Sequence, residues 1–217
     1  MLDRDEDFAR ALLSEGPVAR YSASLTRFGQ LVGTWDARGT RLDEATGEWT
    51  ERHFTWMVAF ILGGHGVQDL EVVQSSHDPK VHDPRVQDPK VQDPKSQDPK
   101  VTEITETAET RQAAETAEAR GTAETFETIA TALRVYDPVA GAVRVSFASP
   151  VSNQYCNLIA VDWHDGIRQD GTQNDGRPIR WNFTSIADYH YSWEGWVSND
   201  DGASWELVEH IDGTRIG

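Results

Sequence analysis

Ionisable side chains set inside an apolar run are where this sequence has chemistry to offer. In "ILGGHGVQDLEVV", Ile61 to Val73, either Gln68 or Asp69 must face inward if the run is a strand, because neighbours alternate faces. Once buried, either side chain needs a hydrogen-bond partner. An inward Asp69 paired with Arg180 or a tyrosine hydroxyl either orients a ligand or only satisfies the core. Gly63, Gly64 and Gly66 around His65 predict a bend where backbone approaches something closely. If a reaction is catalysed, His65, Asp69 and Glu194 are the candidate acid or base; otherwise the sequence assigns no catalytic residue.

Other chemistries find little support. The seven histidines are scattered, with no two spaced metal-ligand pairs, so no metal site is expected in the body of the chain. Cys156 is the single cysteine, which excludes an intramolecular disulfide, and in "NQYCNLI" it reads as a small core residue. "ASPVSN" lacks the glycine-flanked elbow of a serine nucleophile. No cofactor is implied. The formal charge of −16 argues against nucleic acid and anionic membranes as partners. "MLDRDEDFARALLSEG" lacks the pattern of a signal peptide, and no run reaches the roughly 20 apolar residues of a membrane span, so a cytoplasmic location is expected.

The elements that must position these residues are mostly strands. Residues 1–32 read as a helical segment: Phe8, Ala11, Leu12 and Val18 fall near one stripe, and Leu25, Phe28 and Leu31 suggest a second short helix leading to Gly33. From Thr34 the punctuation is that of strands and tight turns, about nine strands in all, with "YCNLIAVDWHDGIRQDGTQ" counted once. Strands at this spacing, with no helical pattern between them, mean an antiparallel meander closed as a barrel or packed as a sandwich. Residues 33–74 and 129–217 carry it.

Residues 75–128 interrupt that rhythm. "HDPKVHDPRVQDPKVQDPKSQDPKV" repeats one five-residue phrase, and its regular prolines allow neither a helix nor a central strand. The Thr/Glu/Ala tract that follows spaces its glutamates in threes, which forms no apolar stripe. This is read as an inert low-complexity insertion in a loop. The alternative is an arm that binds a partner, or a divalent cation at His77, Asp78, His82 and Asp83. Without it the remainder is still acidic.

"LVGTWDARG" resembles the G-x-W opening of lipocalin-like (calycin) barrels. The resemblance implies a barrel closed at one end by Gly33 and Trp35, with a late basic residue, Arg215 of "HIDGTRIG", over the indole. "FGQLVGTW", "FTWMVAFILGGHGVQDLE", "LRVYDPVAGAVRVSFASPV" and "DGRPIRWNFTSI", in that order, are similar to the bacterial lipocalin-like proteins of the DUF1579 type. The likeness covers about residues 26–74 and 129–216. The insertion departs from it, as does "GTWDARG", which lacks the GTW-x-G-x-G spacing of that group and of haem-binding nitrobindins. "SNDDGASW", Ser198 to Trp205, fits the Asp-box of sialidase-type propellers, but it occurs once and reads as a hairpin device.

The fold expected is therefore a mainly β, antiparallel lipocalin-like barrel with an N-terminal helical segment and a loop insertion. "DYHYSWEGWV" alternates Tyr189, Tyr191 and Trp193 against His190, Ser192, Glu194 and Trp196, while "PIRWNF" and "RHFTWMVAF" alternate aromatics in the same way. The leading expectation is a small apolar or aromatic molecule bound in the barrel, walled by Trp56, Trp181, Tyr191 and Trp193 and oriented by Gln68, Asp69 and Arg180. The alternatives are a cyclase- or isomerase-type enzyme using the same cavity, and a filled barrel acting through its surface. A homodimer stays open.

Overall fold

The computed structural model describes residues 4–75 and 125–217. The pentapeptide array, most of the Thr/Glu/Ala tract, and the candidate cation ligands His77, Asp78, His82 and Asp83 lie outside the described residues. Residues 4–73 and 126–217 cluster as one unit.

The chain opens with helix α1 (Arg4–Leu12), whose first turn holds Asp5, Glu6 and Asp7 and whose last turn holds Arg10, charges that suit the helix dipole. The stripe expected to bury Phe8 and Ala11 is not used: both are exposed. A two-residue strand, β1 (Leu13–Ser14), pairs instead with Ile61 and Phe60. Two 3₁₀ turns, Ala19–Tyr21 and Ala23–Leu25, lead into the short helix α2 (Thr26–Gln30). Here the spacing of three does bury Leu25, Phe28 and Leu31. Each such side chain contributes roughly 1.5–3 kcal/mol through the water it leaves.

Ten further strands form an antiparallel barrel: β2 (Gly33–Asp43), β3 (Glu48–Ile61), β4 (Gly66–Ser75), β5 (Thr125–Asp137), β6 (Ala142–Ser149), β7 (Gln154–Trp163), β8 (Gly166–Gln173), β9 (Pro178–Ile186), β10 (His190–Val197) and β11 (Glu206–Arg215). Each pairs with its neighbours in the chain, and β11 returns to β2 with Arg215 opposite Trp35, which closes the ring. Two expectations need correcting. "YCNLIAVDWHDGIRQDGTQ" is two strands, because the chain folds back at His164 (φ 50°) and Asp165, so ten strands replace nine. The barrel also resumes at Thr125 rather than at residue 129, so β5 begins inside the tract read as insertion.

The hairpins follow their side chains. Asp43 accepts from the backbone N–H of Ala45 and Thr46, and Asp137 from Val139 and Ala140. In the "SNDDGASW" turn the Asp200 carboxylate accepts from Ser204 N–H at 2.7 Å and its hydroxyl at 2.6 Å, while Gly202 takes φ 91°. The motif is a hairpin lock.

One end of the barrel is shut. Trp35 is fully buried and donates its indole N–H to Leu31 O at 2.8 Å. Arg215 lies over the ring at 4.1 Å and donates to the carbonyls of Val32 (2.7 Å), Gln30 (2.6 Å) and Asp188 (2.5 Å). Gly33, at φ 138°, leaves the space that guanidinium occupies: a Cβ there would meet Arg215 Nη1 at 2.2 Å. Cys156 is buried in the core. No described helix is long and apolar enough to cross a membrane.

Candidate functional site

Away from the Trp35 end the barrel is hollow. A cavity of about 260 Å³ opens there, with Arg41, Val151, Ser152 and Gln154 among the residues around it. Two chemically different walls line it.

The first wall is aromatic. Alternation along β3 turns Phe54 and Trp56 inward, β9 supplies Trp181 and Phe183, β10 supplies Tyr191 and Trp193, and β6 adds Phe147. The rings hold one another at ordinary edge-to-face distances: Phe147 to Trp181 at 5.1 Å, Trp181 to Trp193 at 5.8 Å, and Trp56 to Tyr191 at 5.0 Å. Tyr191 also reaches Trp35 at 5.1 Å, so the aromatic wall is continuous with the closed end.

The second wall is ionic. On β4 the inward side chains after Val67 are Asp69 and Glu71. Asp69 accepts from Ala132 N–H at 2.8 Å and forms an ion pair with Arg134 of β5. Arg52 of β3 bridges two carboxylates, donating through Nη2 to Glu71 at 2.9 Å and through Nη1 to Glu209 of β11. Among the described residues, Glu71 and Glu209 each keep one oxygen without a donor. Tyr191, which lines the same cavity, has a hydroxyl without a hydrogen-bond partner among the described residues. Arg134 Nε is unpaired too, but it is sealed from solvent.

The electrostatics follow from this crowding. Burial pushes the Glu71 carboxyl up to about 7; Arg52 opposes the rise, while Asp69 and Glu209 add to it. Burial likewise raises the Tyr191 phenol well above its ordinary range, assisted by Glu71 and Asp69. Arg52 is held charged, since Glu209 and Glu71 outweigh the desolvation that opposes it. The Cys156 thiol is pushed up to about 12 by burial and is no nucleophile.

No family model matches the chain, and no curated protein matches it.

Of the expected ligand contacts, Trp56, Asp69, Trp181, Tyr191 and Trp193 line the cavity. Gln68 and Arg180 do not. Strand alternation that turns Asp69 inward turns Gln68 outward, where it donates to Thr131 Oγ1 at 3.1 Å. Arg180 alternates with inward Trp181. It pairs with Asp170 at 2.8 Å and lies 4.0 Å over the Trp205 ring, while Arg134 takes the place at Asp69 that Arg180 was expected to hold.

Of the candidate acid or base residues His65, Asp69 and Glu194, only Asp69 lines the cavity. His65 follows the 3₁₀ turn Leu62–Gly64, its Nδ1 bonding Leu62 O and its Nε2 receiving Arg20. Glu194 accepts from Trp196 Nε1 at 3.1 Å on the other face of β10 from Tyr191 and Trp193. Among the described residues no His, Cys, Asp and Glu group is placed to hold a metal ion.

Glu71, Arg52, Arg134 and Glu209 are the site residues that sequence reasoning passed over. Two of them had a signal. Glu71 follows Asp69 by two in "QDLEVV", and Arg52 precedes Phe54 by two in "RHFTW", so period-2 alternation places both inside.

Proposed function

We propose that the chain is a lipocalin-like binding protein of the DUF1579 type that holds one small amphipathic molecule in the open end of its barrel. The observation that carries this reading is one cavity lined by both aromatic rings and ion-paired side chains. The volume, about 260 Å³, lies just below the range typical of ligand pockets, roughly 300–1,000 Å³, which suits a small ligand. Trp56, Trp181 and Trp193 supply flat apolar contact, and Glu71 and Glu209 offer free acceptor oxygens. The ligand is therefore not wholly apolar: an oily molecule would strand those carboxylates without partners. A filled barrel acting through its surface has no use for the cavity.

Native mass spectrometry, with an absorbance scan, on protein freshly purified from its own host tests this. The expected result is a small molecule that co-purifies and is lost on denaturation. A bare polypeptide, together with failure of Nile red to enter, overturns it.

A second reading, an isomerase- or cyclase-type enzyme, is favoured by one observation. Glu71 is an inward carboxylate with a pKa near 7, which suits it to both taking and returning a proton. It would replace His65 and Glu194 in that role. Conversion of the co-purified molecule to a species of equal mass, lost in E71Q, is the outcome that would establish it.

A further inference from the structure

We propose that the ligand's polar end is a protonated amine, so that the cavity takes an organic ammonium ion on a flat apolar body. This rests on the binding reading above and adds the charge of the ligand.

The cavity sets three carboxylates, Asp69, Glu71 and Glu209, beside three guanidiniums, of which only Arg52 and Arg134 pair with them. Arg134 spends its charge on Asp69. Arg52 must serve both Glu71 and Glu209, using one terminal nitrogen on each. Two carboxylates share one cation, because Arg41, the cross-strand neighbour of Glu209, bonds Gln154 and neither glutamate.

Hydrogen-bond capacity points the same way. Arg52 satisfies one oxygen of each glutamate and leaves the other oxygen facing the cavity with no donor from the described residues. An ammonium group brings up to three donors and a positive charge to these acceptors. Around them stand the rings of Trp56, Tyr191 and Phe54, whose faces attract cations in a desolvated site. A carboxylate or phosphate ligand fits badly: it would have to draw Arg52 or Arg134 away from its partner and leave a buried charge unpaired. Arg41 is a third cation, but it stands half-buried against Gln154 at 3.3 Å, in reach of solvent.

The raised pKa of Glu71 supports the same conclusion. The groups that face it are Arg52 from β3, Asp69 on its own strand, Glu209 from β11, and Tyr191 from β10. Without a ligand, the surplus charge there is relieved by taking up a proton. An ammonium ion relieves it instead, so binding drives the proton off.

Isothermal titration of the full chain with 2-phenylethylamine, 2-phenylethanol and phenylacetate reads this directly. At pH 8 the amine is expected to bind at least tenfold tighter than the alcohol, with phenylacetate weakest. At pH 6.5, titrations in two buffers of different ionisation enthalpy should show proton release on amine binding alone. E71Q and E209Q should each reduce the amine-to-alcohol ratio several-fold. If the alcohol binds as well as the amine, or phenylacetate binds best, the charge assignment is overturned and the binding reading stands. If none of the three binds and Nile red is also excluded, both fall.

Discussion

The guanidinium carbon of Arg215 stands 4.1 Å from the centre of the Trp35 ring, joining the last residue of β11 to the start of β2. The contact does more than stack. Three donors of Arg215 satisfy carbonyls at Gln30, Val32 and Asp188, so one side chain ties α2, the entry to β2 and the β9–β10 turn together. Arg215→Ala should cost about 2–4 kcal/mol, the range expected for losing several bonds from a charged donor. Arg215→Lys should recover less than half, because an ammonium cannot reproduce the planar fork. Urea denaturation monitored by tryptophan fluorescence checks both.

Asp69 and Arg134 form the most deeply buried ion pair of the cavity. Removing one partner leaves the other charged in a low-dielectric interior, which typically costs about 3–5 kcal/mol. Asp69→Leu and Arg134→Met should each destabilise by that order. The double substitution Asp69→Leu with Arg134→Met should be milder than either alone, since apolar groups of similar size leave nothing unpaired. A double-mutant cycle of denaturation free energies measures the difference.

Glu71 gives stability a specific pH dependence. Its folded pKa, about 7, lies above the ordinary 4.5. The folded state thus holds a proton that the unfolded chain has released in that interval. The contribution is fully present below about pH 4.5 and is lost as pH rises through about 7, amounting to roughly 3 kcal/mol at about 1.4 kcal/mol per pH unit. The carboxylates whose pKa is lowered, such as Asp36, Asp170 and Asp212, act below this window. Glu71→Gln should therefore flatten the stability profile between pH 5 and 8, read as the denaturation midpoint across that range.

The barrel was legible because its signals are local. Turn residues such as Asp43, Asp137 and Gly202 announce hairpins in the sequence, and "GTW" with a late arginine marks the closed end. The aromatic wall was legible for the same reason, since alternation sorts Trp181 from Arg180 without knowledge of partners. The ionic wall was not. Arg52 meets Glu209, 157 positions away, only because ring closure sets β11 beside β2 with β3 on its other side, and that leaves no trace in spacing. The exchange of Arg180 for Arg134 at Asp69 is a different failure: alternation already sets Arg180 opposite inward Trp181, whereas the place of Arg134 beside Asp69 depends on how β4 and β5 meet. The break at His164 had a signal in the Asp165-Gly166 dipeptide that follows it, which the reading of one long strand did not use.

Gly213 offers a test that joins packing to the cavity. It lies opposite Tyr191, and a Cβ at this position would meet the Tyr191 ring at 2.0 Å. The ring lies flat over bare backbone because nothing projects there. Gly213→Ala must push the phenol away from β11, and the rings of Trp35, Trp56 and Phe183 bound its other sides. The path left to it is toward the cavity. Overpacking of this kind costs about 1–3 kcal/mol, so the denaturation midpoint should fall. Binding of Nile red or 2-phenylethanol should weaken beyond what that loss of folded protein explains, because the displaced ring occupies the ligand's space. A midpoint that falls with binding per folded molecule unchanged would mean that Tyr191 relaxes along the strand and takes no part in shaping the cavity.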